Sequence, residues 1–495
     1  WLKCAPLGVL AHATSCTTTS VYRFQYLVGH STRPNRCSKL TSGMTGLRLG
    51  ALLSLAVVQH VAATVGFLRR NDSDALQVGP LLVNLRRESV PVYRRGEVVS
   101  EKNSYSGVVT VGSPAQEFRV VFDTGSGHVV VPAEECNSDS CVVHRRYSAS
   151  ASTTSELTNQ DGSRVVEDEP IDQVTIGYGT GEVLGEFVCD KVCLGTNSGF
   201  CLDMQLVMAV EMSTRPFKTF AFDGIMGMGL PALSLNKKLS FLESFGRLHP
   251  NRPRSFGVYL SSNEGGEGSE LSLGGFNSHH MSEPVRYVPV SNPDLGYWQV
   301  AIKAVRVGGV LLDVCADGMC RGILDSGTSH LGVPGTAHGE LENRLQQDAG
   351  QLLDCRLVSA PSVEIELENL NLTVHAATYM RRMPLSDDDA TMSSTAGISA
   401  AREDLPRKPV VQSRAAADGV GIGSAKLCTP RLVPVNMPEP LGPKLFILGE
   451  PVLHQYYTVY DWGKQEVGFA LAAAPGKLTS ADAIGDEAPR SEYLL

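Results

Sequence analysis

Two aspartates lie in closely similar hexapeptides, one in each half of the 495-residue chain. The first hexapeptide, VFDTGS, carries Asp123, and the second, ILDSGT, carries Asp325. Each is followed downstream by an aliphatic pair and a glycine, IMG at 225–227 and ILG at 447–449. Such an internal repeat predicts two similarly built halves that each present one aspartate.

Two carboxylates held side by side cannot both ionise cheaply, so they share one proton and titrate as a pair. The ionised carboxylate can take a proton from a bound water while the protonated one donates to a carbonyl oxygen. An isolated Asp-Thr/Ser-Gly triplet often marks only a turn, but its repetition in matched surroundings favours catalysis. We therefore predict that Asp123 and Asp325 form a catalytic pair.

The sequence around these aspartates predicts an all-β body. Short runs such as SGVVTVG, EFRVVF and HVVVP are separated by Gly, Pro and polar residues. A buried strand can deliver each aspartate to a tight loop, where the following glycine lets backbone and substrate approach closely. The alternating stretch VTIGYGTGEVLG predicts a β-hairpin.

From about Tyr105 to Ala472 the chain resembles the pepsin-like aspartic proteases. YSGVVTVGSPAQEFRVVFDTGSG and RGILDSGTSHLGVP resemble the two active-site segments of that family, and FDGIMGMG, SFGVYLSS, LSLGGF, GYWQV and ILGEPVLHQYYTVYD match in the same order. The resemblance implies an all-β, bilobal, pepsin-like double-β-barrel fold. We expect an N-terminal lobe over 104–291, a C-terminal lobe over 292–472 and an active-site cleft between the two similar lobes.

The resemblance also implies roles for individual residues. Asp123 and Asp325 would hold the nucleophilic water between them, and Thr124 and Ser326 would brace the two loops through hydroxyl-to-backbone hydrogen bonds. The residues expected to contact the substrate or to tune the aspartates are Gly125, Ser126, Tyr178, Gly179, Thr180, Phe222, Ile225, Gly327 and Thr328.

Within that set, the hydroxyls of Ser126 and Thr328 would hydrogen-bond the outer oxygens of Asp123 and Asp325, respectively. Gly327 would contact the substrate backbone. The resemblance thus implies that small residues beside each aspartate serve both the carboxylates and the substrate.

The hairpin around Tyr178 matches the flap of the family, which closes over the cleft and excludes water. Gly179 and Thr180 would hydrogen-bond the substrate. Phe222 and Ile225 would form apolar walls, which implies a preference for hydrophobic residues flanking the cut. Without the resemblance, Tyr178 could simply be a strand aromatic packed on its neighbours.

One position departs from the family pattern. A tryptophan usually lies seven residues after the first catalytic aspartate and hydrogen-bonds the flap tyrosine, whereas this chain has Val130. Valine can pack but cannot donate a hydrogen bond. The Tyr178 hydroxyl must therefore find another partner, and we expect the flap to open more readily.

The cysteines agree with the resemblance. Three pairs match disulfide positions of the family: Cys136–Cys141, Cys315–Cys320 and Cys355–Cys428. Cys193 and Cys201 bracket LGTNSGF, where a further hairpin bridge is plausible. Cys189 is then left over, and a buried free thiol is expected there.

The N-terminal residues predict a secreted protein. Residues 1–43, which include three cysteines, are expected to be upstream sequence outside the native protein. Residues 44–63 have the positive start, the short apolar run and the small residues of a signal peptide. We expect the secretory pathway, with an extracellular or an acidic vacuole- or lysosome-like destination.

Residues 64–103 form a basic, loop-like stretch that predicts a removable prosegment, with a flexible tail as the alternative. Its arginines, at positions 86, 87, 94 and 95, would lie near the two aspartates and inhibit the precursor near neutral pH. Residues 376–426 and 473–495 are rich in small and charged residues and predict a disordered insertion and a disordered tail.

The composition excludes several partners. A net charge of −9 argues against nucleic acid, and the cysteine and histidine spacings do not favour a zinc site, so we expect neither metal nor cofactor. No later segment is long and apolar enough for a membrane span. Polypeptide substrates and pepstatin-like inhibitors are the expected partners of a monomer.

The sequence therefore predicts an acid-favoured aspartic endopeptidase. One alternative is a catalytically silent peptide-binding protein on the same scaffold, whose signature would be the loss of an aspartate. A second is a two-carboxylate glycosidase, whose acid and base normally have unlike surroundings, whereas these aspartates lie in matching repeats.

Overall fold

β-Strands form nearly all of the regular structure in the computed structural model. It describes residues 79–94, 97–166, 169–179, 181–195, 200–262, 268–386, 426–473 and 493–494. These residues belong to one compact unit spanning 37–495. The fold is the pepsin-like, bilobal all-β architecture.

The first part of the chain supplies twelve of the described strands. They are β1 (Leu81–Arg94), β2 (Glu97–Val111), β3 (Gln116–Asp123), β4 (Val129–Pro132), β5 (Glu156–Thr158), β6 (Gln173–Tyr178), β7 (Gly181–Leu194), β8 (Cys201–Met212), β9 (Gly224–Gly227), β10 (Ser255–Tyr259), β11 (Ser269–Leu273) and β12 (Arg286–Pro289).

The remaining described strands are β13 (Gln299–Ile302), β14 (Ala304–Val307), β15 (Val310–Leu311), β16 (Cys320–Leu324), β17 (Leu331–Pro334), β18 (Gln347–Asp348), β19 (Val363–Glu366), β20 (Asn371–Val374), β21 (Leu385–Ser386), β22 (Lys426–Cys428), β23 (Leu432–Val435), β24 (Leu445–Leu448), β25 (Tyr456–Asp461), β26 (Glu466–Leu471) and β27 (Tyr493–Leu494).

Helices are short in the described part of the chain. The α-helices are α1 (Asp139–Val142), α2 (Phe241–Leu248), α3 (Gly335–Leu345), α4 (Ala376–Tyr379) and α5 (Glu450–Leu453). The 3₁₀ turns are Phe217–Thr219, Pro231–Leu233, Ser278–His280, Pro293–Leu295, Asp313–Cys315 and Cys355–Leu357.

The repeat seen in the sequence is a repeat of strand topology. In the first half β3 pairs in parallel with β9, which pairs antiparallel with β4. In the second half β16 pairs in parallel with β24, which pairs antiparallel with β17. Each aspartate therefore follows a strand whose neighbour is the aliphatic-aliphatic-Gly motif, with Asp123 opposite Gly227.

The glycine of each motif is required by the loop that crosses it. A Cβ on Gly227 would collide with the backbone of Gly127 and His128, and one on Gly449 would collide with the carbonyls of Thr328 and His330. A larger residue at either position would displace the aspartate loop. The two motifs thus fix where the loops run.

One large sheet joins the two ends of the chain. Its order is β12-β26-β25-β10-β11-β1-β2-β3-β9-β4-β8-β7-β5, with β6 paired to β7. The C-terminal half adds β13-β16-β24-β17-β23, β15-β14-β19-β20 and β18-β22-β21. Strand β1 lies near the middle of the large sheet, between β11 and β2.

The loop-like interpretation of residues 64–103 is wrong for its described part. Residues 81–94 and 97–103 are strands, and Leu81, Leu82, Val83 and Leu85 are only 2–3% exposed. Burying four large aliphatic side chains stabilises the folded protein, whereas an exposed basic loop would gain no such free energy. The apolar residues at 81–85 were overlooked in the sequence because arginine pairs dominate the stretch around them.

Strands β1 and β2 pair as the N-terminal hairpin, and its described arginines do not contact Asp123 or Asp325. Arg87 contacts Glu450 at 3.7 Å, and Arg86 lies 3.9 Å from Glu88 on its own strand. The side chains of Arg94 and Arg95 lie outside the described residues. The described arginines therefore bind other carboxylates than the two aspartates.

Glu450 is the centre of a buried polar cluster that ties the N-terminal hairpin to the C-terminal half. Asn103 Nδ2 lies 2.7 and 2.8 Å from its two carboxylate oxygens, and the Tyr105 hydroxyl donates at 2.9 Å. Arg431 donates at 2.8 Å, and His454 Nε2 lies at 3.1 Å. A buried carboxylate is tolerated because every neighbour is a donor or a cation.

Two boundaries differ from those predicted. Residues 376–386, expected at the start of a disordered insertion, include α4 and β21, with Tyr379 and Met380 at most 1% exposed. The rest of the insertion up to residue 425 lies outside the described residues. In the predicted tail, β27 pairs in parallel with Leu82 and Val83.

Three of the four described disulfides close short segments of 5 to 8 residues, and the fourth joins residues 73 apart. The described bonds are Cys136–Cys141, Cys193–Cys201, Cys315–Cys320 and Cys355–Cys428. The expectation of a free thiol at Cys189 is wrong, because this cysteine is also disulfide-bonded.

Candidate active site

Thr124 and Ser326 lock the two aspartate loops together. The Thr124 N–H donates to Ser326 Oγ at 3.0 Å, and the Ser326 N–H donates to Thr124 Oγ1 at 2.9 Å. Each hydroxyl then donates to a carbonyl of the opposite strand, Leu324 at 2.9 Å and Phe122 at 2.6 Å. Both side chains are buried, so water does not compete for these bonds.

This lock brings the two aspartates face to face. A Cβ on Gly125 would lie 2.9 Å from Asp325 Oδ1, and a Cβ on Gly327 would lie 2.6 Å from Asp123 Oδ1. Each glycine of one loop therefore touches the carboxylate of the other. Any side chain at either glycine would push the carboxylates apart.

Backbone and hydroxyl donors orient the carboxylates unequally. The Gly125 N–H donates to Asp123 Oδ1 at 2.9 Å, and the Gly327 N–H donates to Asp325 Oδ1 at 2.8 Å. The Thr328 hydroxyl also donates to Asp325 Oδ2 at 2.6 Å. The Ser126 hydroxyl, expected to do the same for Asp123, lowers the pKa of that carboxyl, but it is buried and no partner in the described structure meets the geometry of a full hydrogen bond.

The two aspartates differ in how readily they carry a charge. Burial, followed by the neighbouring charge of Asp325, raises the pKa of Asp123 to about 7. The hydrogen-bonded carboxylate of Asp325 is better suited to hold the negative charge, because donors favour the ionised form. Asp123 is therefore the carboxyl of the pair that can keep a proton up to about pH 7.

The hairpin of β6 and β7 projects beside this pair. Tyr178 is the last paired residue of β6, and Gly179 is exposed with φ +55°, a conformation that favours glycine. Thr180 lies outside the described residues. The hairpin has the position and the glycine-rich turn of a flap.

Tyr178 packs by its ring and not by its hydroxyl. Its ring meets Phe217 edge to face at 5.9 Å between centroids. Its hydroxyl is buried and has no hydrogen-bond partner in the described part of the chain. Burial, then the charge of Asp123, raises the pKa of Tyr178. Val130, in the adjacent apolar cluster, offers no donor or acceptor.

Phe222 and Ile225 belong to the same apolar cluster as Val130 and Phe217. These side chains line one cavity at the base of the flap, together with Met212 and His144. The predicted wall residues are therefore brought together beside Tyr178. No motif in the sequence pointed to His144 in this wall.

Tyr297 is a second residue that sequence reasoning did not single out. Burial, then the charges of Asp325 and Asp123, raises its pKa, so its hydroxyl lies within electrostatic range of both carboxylates. It is followed by Trp298, which is fully buried and donates to the Met228 carbonyl at 2.8 Å. The GYWQV motif, which contains both, was the available signal.

Comparison with known proteins agrees with this geometry. The family described as eukaryotic aspartyl protease matches residues 104–405. Cathepsin E of Rattus norvegicus is 29% identical over 374 residues, which cover 74% of this chain and 80% of the relative. Pepsin II-1 of Oryctolagus cuniculus is 28% identical over 381 residues, which cover 74% of this chain and 81% of the relative. Cathepsin E of the same species is 30% identical over 372 residues, which cover 74% of this chain and 80% of the relative.

Fold, paired aspartates and matched family together define an aspartic protease. The chain belongs to the eukaryotic aspartyl protease family. It is an enzyme of the aspartic endopeptidase class.

Proposed function

We propose that this enzyme is an acid-favoured endopeptidase in which Asp123 and Asp325 activate a water molecule. The observation that supports this best is the contact of each loop glycine with the opposite carboxylate, which forces the two acids together. The raised pKa of Asp123, about 7, provides a proton donor in acid. Its relatives' names, pepsin and cathepsin E, support the same function.

The two carboxyls take different roles in the proposed reaction. Asp325, ionised and held by Gly327 and Thr328, removes a proton from water as the oxygen attacks the peptide carbonyl carbon. Asp123 donates its proton to the carbonyl oxygen, which gives a neutral tetrahedral diol. A hydroxyl of the diol then returns a proton to Asp123. Asp325 passes the proton that it took from water to the departing nitrogen, and the C–N bond breaks.

The substrate would lie extended between the loops and the flap. Gly327 is exposed beside Asp325, where a substrate backbone can approach. Gly179 and Thr180 of the flap would hydrogen-bond that backbone. The apolar wall of Phe222, Ile225 and Tyr178 would receive hydrophobic side chains flanking the cut.

The secretory pathway is the proposed location, with an acidic destination that suits the dyad. Four described disulfides require an oxidising compartment for folding. Among the described residues, no helix is long and apolar enough to cross a membrane. Residues 44–63, the proposed signal peptide, lie outside the described residues.

Cleavage of a random peptide library between pH 3 and 8 tests the function. We expect internal cuts between hydrophobic residues, blocked by pepstatin and absent in Asp123→Asn. Peptide binding without cleavage would instead support the alternative, a catalytically silent binding protein. Inhibition by metal chelators alone would overturn the two-aspartate mechanism.

A further inference from the structure

His144 bridges two elements of the cavity wall through both nitrogens of its ring. Nδ1 lies 2.5 Å from the carbonyl oxygen of Ser140 in α1, and Nε2 lies 2.8 Å from the carbonyl oxygen of Phe220. Carbonyl oxygens only accept hydrogen bonds, so both nitrogens must donate. Neutral imidazole carries one N–H, and only the imidazolium carries two. The complete bridge therefore requires a protonated ring.

The bridged segment carries the aromatic side chains that face the flap. Phe217 packs edge to face on Tyr178, and Phe220 stacks on Phe222 with centroids 4.8 Å apart. Phe217, Phe222 and His144 line the same cavity. The hydrogen bond from His144 to the Phe220 carbonyl therefore helps to position the apolar wall.

The other ties between these elements do not depend on a histidine. The Ser140 hydroxyl donates to the Ser213 carbonyl at 2.7 Å. Lys218 contacts Asp139 at 2.9 Å, and this hydrogen bond lowers the pKa of Asp139, so the pair persists in mild acid. His144 is thus the tie whose number of hydrogen bonds depends on whether its ring is protonated.

Asp223, Arg145 and Arg146, which lie around His144, have partners of their own. Asp223 lines the same cavity and accepts from the Arg119 and Arg145 amides at 2.9 Å. Arg145 pairs with Glu117, and Arg146 donates to two backbone carbonyls. The charged groups on the elements packed around the ring are Asp139, Arg145, Arg146, Arg215, Lys218 and Asp223.

We infer that His144 is a positioning residue that completes the hydrophobic substrate wall only when its ring is protonated. Acid then acts twice on the enzyme, once on the aspartate pair and once on the wall that receives the substrate side chain. When the ring is neutral, one of the two carbonyl bonds is lost and the 217–222 segment is held less firmly. This inference rests on the proposed function, because the wall matters only if it binds substrate.

Peptide binding in an inactive background separates the two effects of acid. Asp123→Asn abolishes hydrolysis, and the remaining carboxyl of Asp325 is common to both compared variants, so it cancels in the ratio of their Kd values for a hydrophobic peptide. We compare His144→Gln with His279→Gln in that background, because His279 is exposed and distant in sequence from the wall. His144→Gln should weaken binding about tenfold at pH 4.5, with the difference shrinking toward none at pH 7.5.

A weakening that is equal at every pH, or no weakening at all, would overturn the inference. A second measurement on the unaltered chain covers a failure of His144→Gln to fold. Nitrogen-15 NMR of labelled histidine rings should show two N–H groups on His144 at pH 4.5, and both should exchange slowly with water because each is bonded to a carbonyl oxygen. A single N–H at pH 4.5 would refute the bridge. The NMR result is independent of activity, so failure of the proposed function would show separately as absent hydrolysis.

Discussion

Thr124 and Ser326 each donate a backbone N–H to the other's hydroxyl, at 3.0 and 2.9 Å. Because the bonds are reciprocal, neither aspartate loop can shift without breaking contacts in both. The carboxylates contribute nothing to this lock, which uses only backbone groups and hydroxyls. The geometry of the loops should therefore survive changes to the carboxylates themselves.

Asp123→Asn and Asp325→Asn should each abolish peptide hydrolysis while leaving the fold intact. Either change removes the shared-proton pair that activates the water. The measurements are turnover of a hydrophobic peptide and thermal unfolding of the same preparations. A folded variant that kept more than a small fraction of the activity would refute the assignment.

Activity should fall as the pH rises through about 7. The protonated form of Asp123 is the proposed donor, and its pKa is raised to about 7 by burial and by Asp325. Below that pH the donor is present, and above it Asp123 has lost its proton. A rate profile from pH 3 to 8, with unfolding monitored at each pH, checks this. Rates that climbed steadily above neutrality would contradict it.

The aspartate loops could be predicted because their signal is local and occurs twice. The hexapeptides, the two downstream glycines and the strand-like runs before them lie within short stretches of sequence. Strand β1 was missed for the opposite reason. Its partner β11 lies far along the chain, and its four aliphatic residues are interrupted and followed by polar and charged ones.

The polar contacts of the site could not be predicted from sequence. The bridge of His144 depends on two backbone carbonyls, one of them brought close only by the fold. Glu450 sits in a motif that the family resemblance flagged, but its partners Asn103 and Arg431 come from distant segments. Contacts between side chains that are distant in the sequence leave no repeating pattern of residues from which they could be predicted.

Tyr178→Phe should cost little activity, whereas Tyr178→Ala should cost much. The hydroxyl has no partner in the described structure, so its removal breaks no strong bond. The ring packs on Phe217 and covers the cavity wall, so its removal opens the pocket. Steady-state kinetics of both variants on one hydrophobic peptide decide the matter. If Phe proved as damaging as Ala, the hydroxyl would have an essential partner in the working enzyme.

A chain beginning at Glu101 should be markedly less stable than one beginning at Gly79. The shorter chain lacks β1, whose buried aliphatic side chains each contribute about 1.5–3 kcal/mol, and it lacks Arg87 beside Glu450. The chain from Gly79 is the matched control, because it also lacks everything before the described strands. Equal melting temperatures, with more activity at neutral pH in the shorter chain, would contradict this and support the hypothesis that residues 64–103 are an inhibitory prosegment.

Glu450→Gln should destabilise the protein by about 3–5 kcal/mol near neutral pH, because it leaves Arg431 buried beside a neutral group. Burial alone would raise the pKa of Glu450, but Arg431, His454 and the Asn103 amide outweigh burial and lower it to about 2. The depressed pKa means that the folded protein gains from the ionised carboxylate above the ordinary value of 4.5 and loses this gain as the pH falls toward 2.

The difference between the variant and the unaltered protein should therefore be largest above pH 5 and shrink as the pH falls from 4.5 toward 2. Glu340→Gln is the matched control, since it removes a half-exposed partner of Arg344 and should cost at most about 1 kcal/mol. Urea unfolding of the three proteins between pH 2.5 and 7 measures both effects. A Glu450 variant as stable as the Glu340 control at pH 7 would show that the buried cluster does not hold the N-terminal hairpin to the C-terminal half.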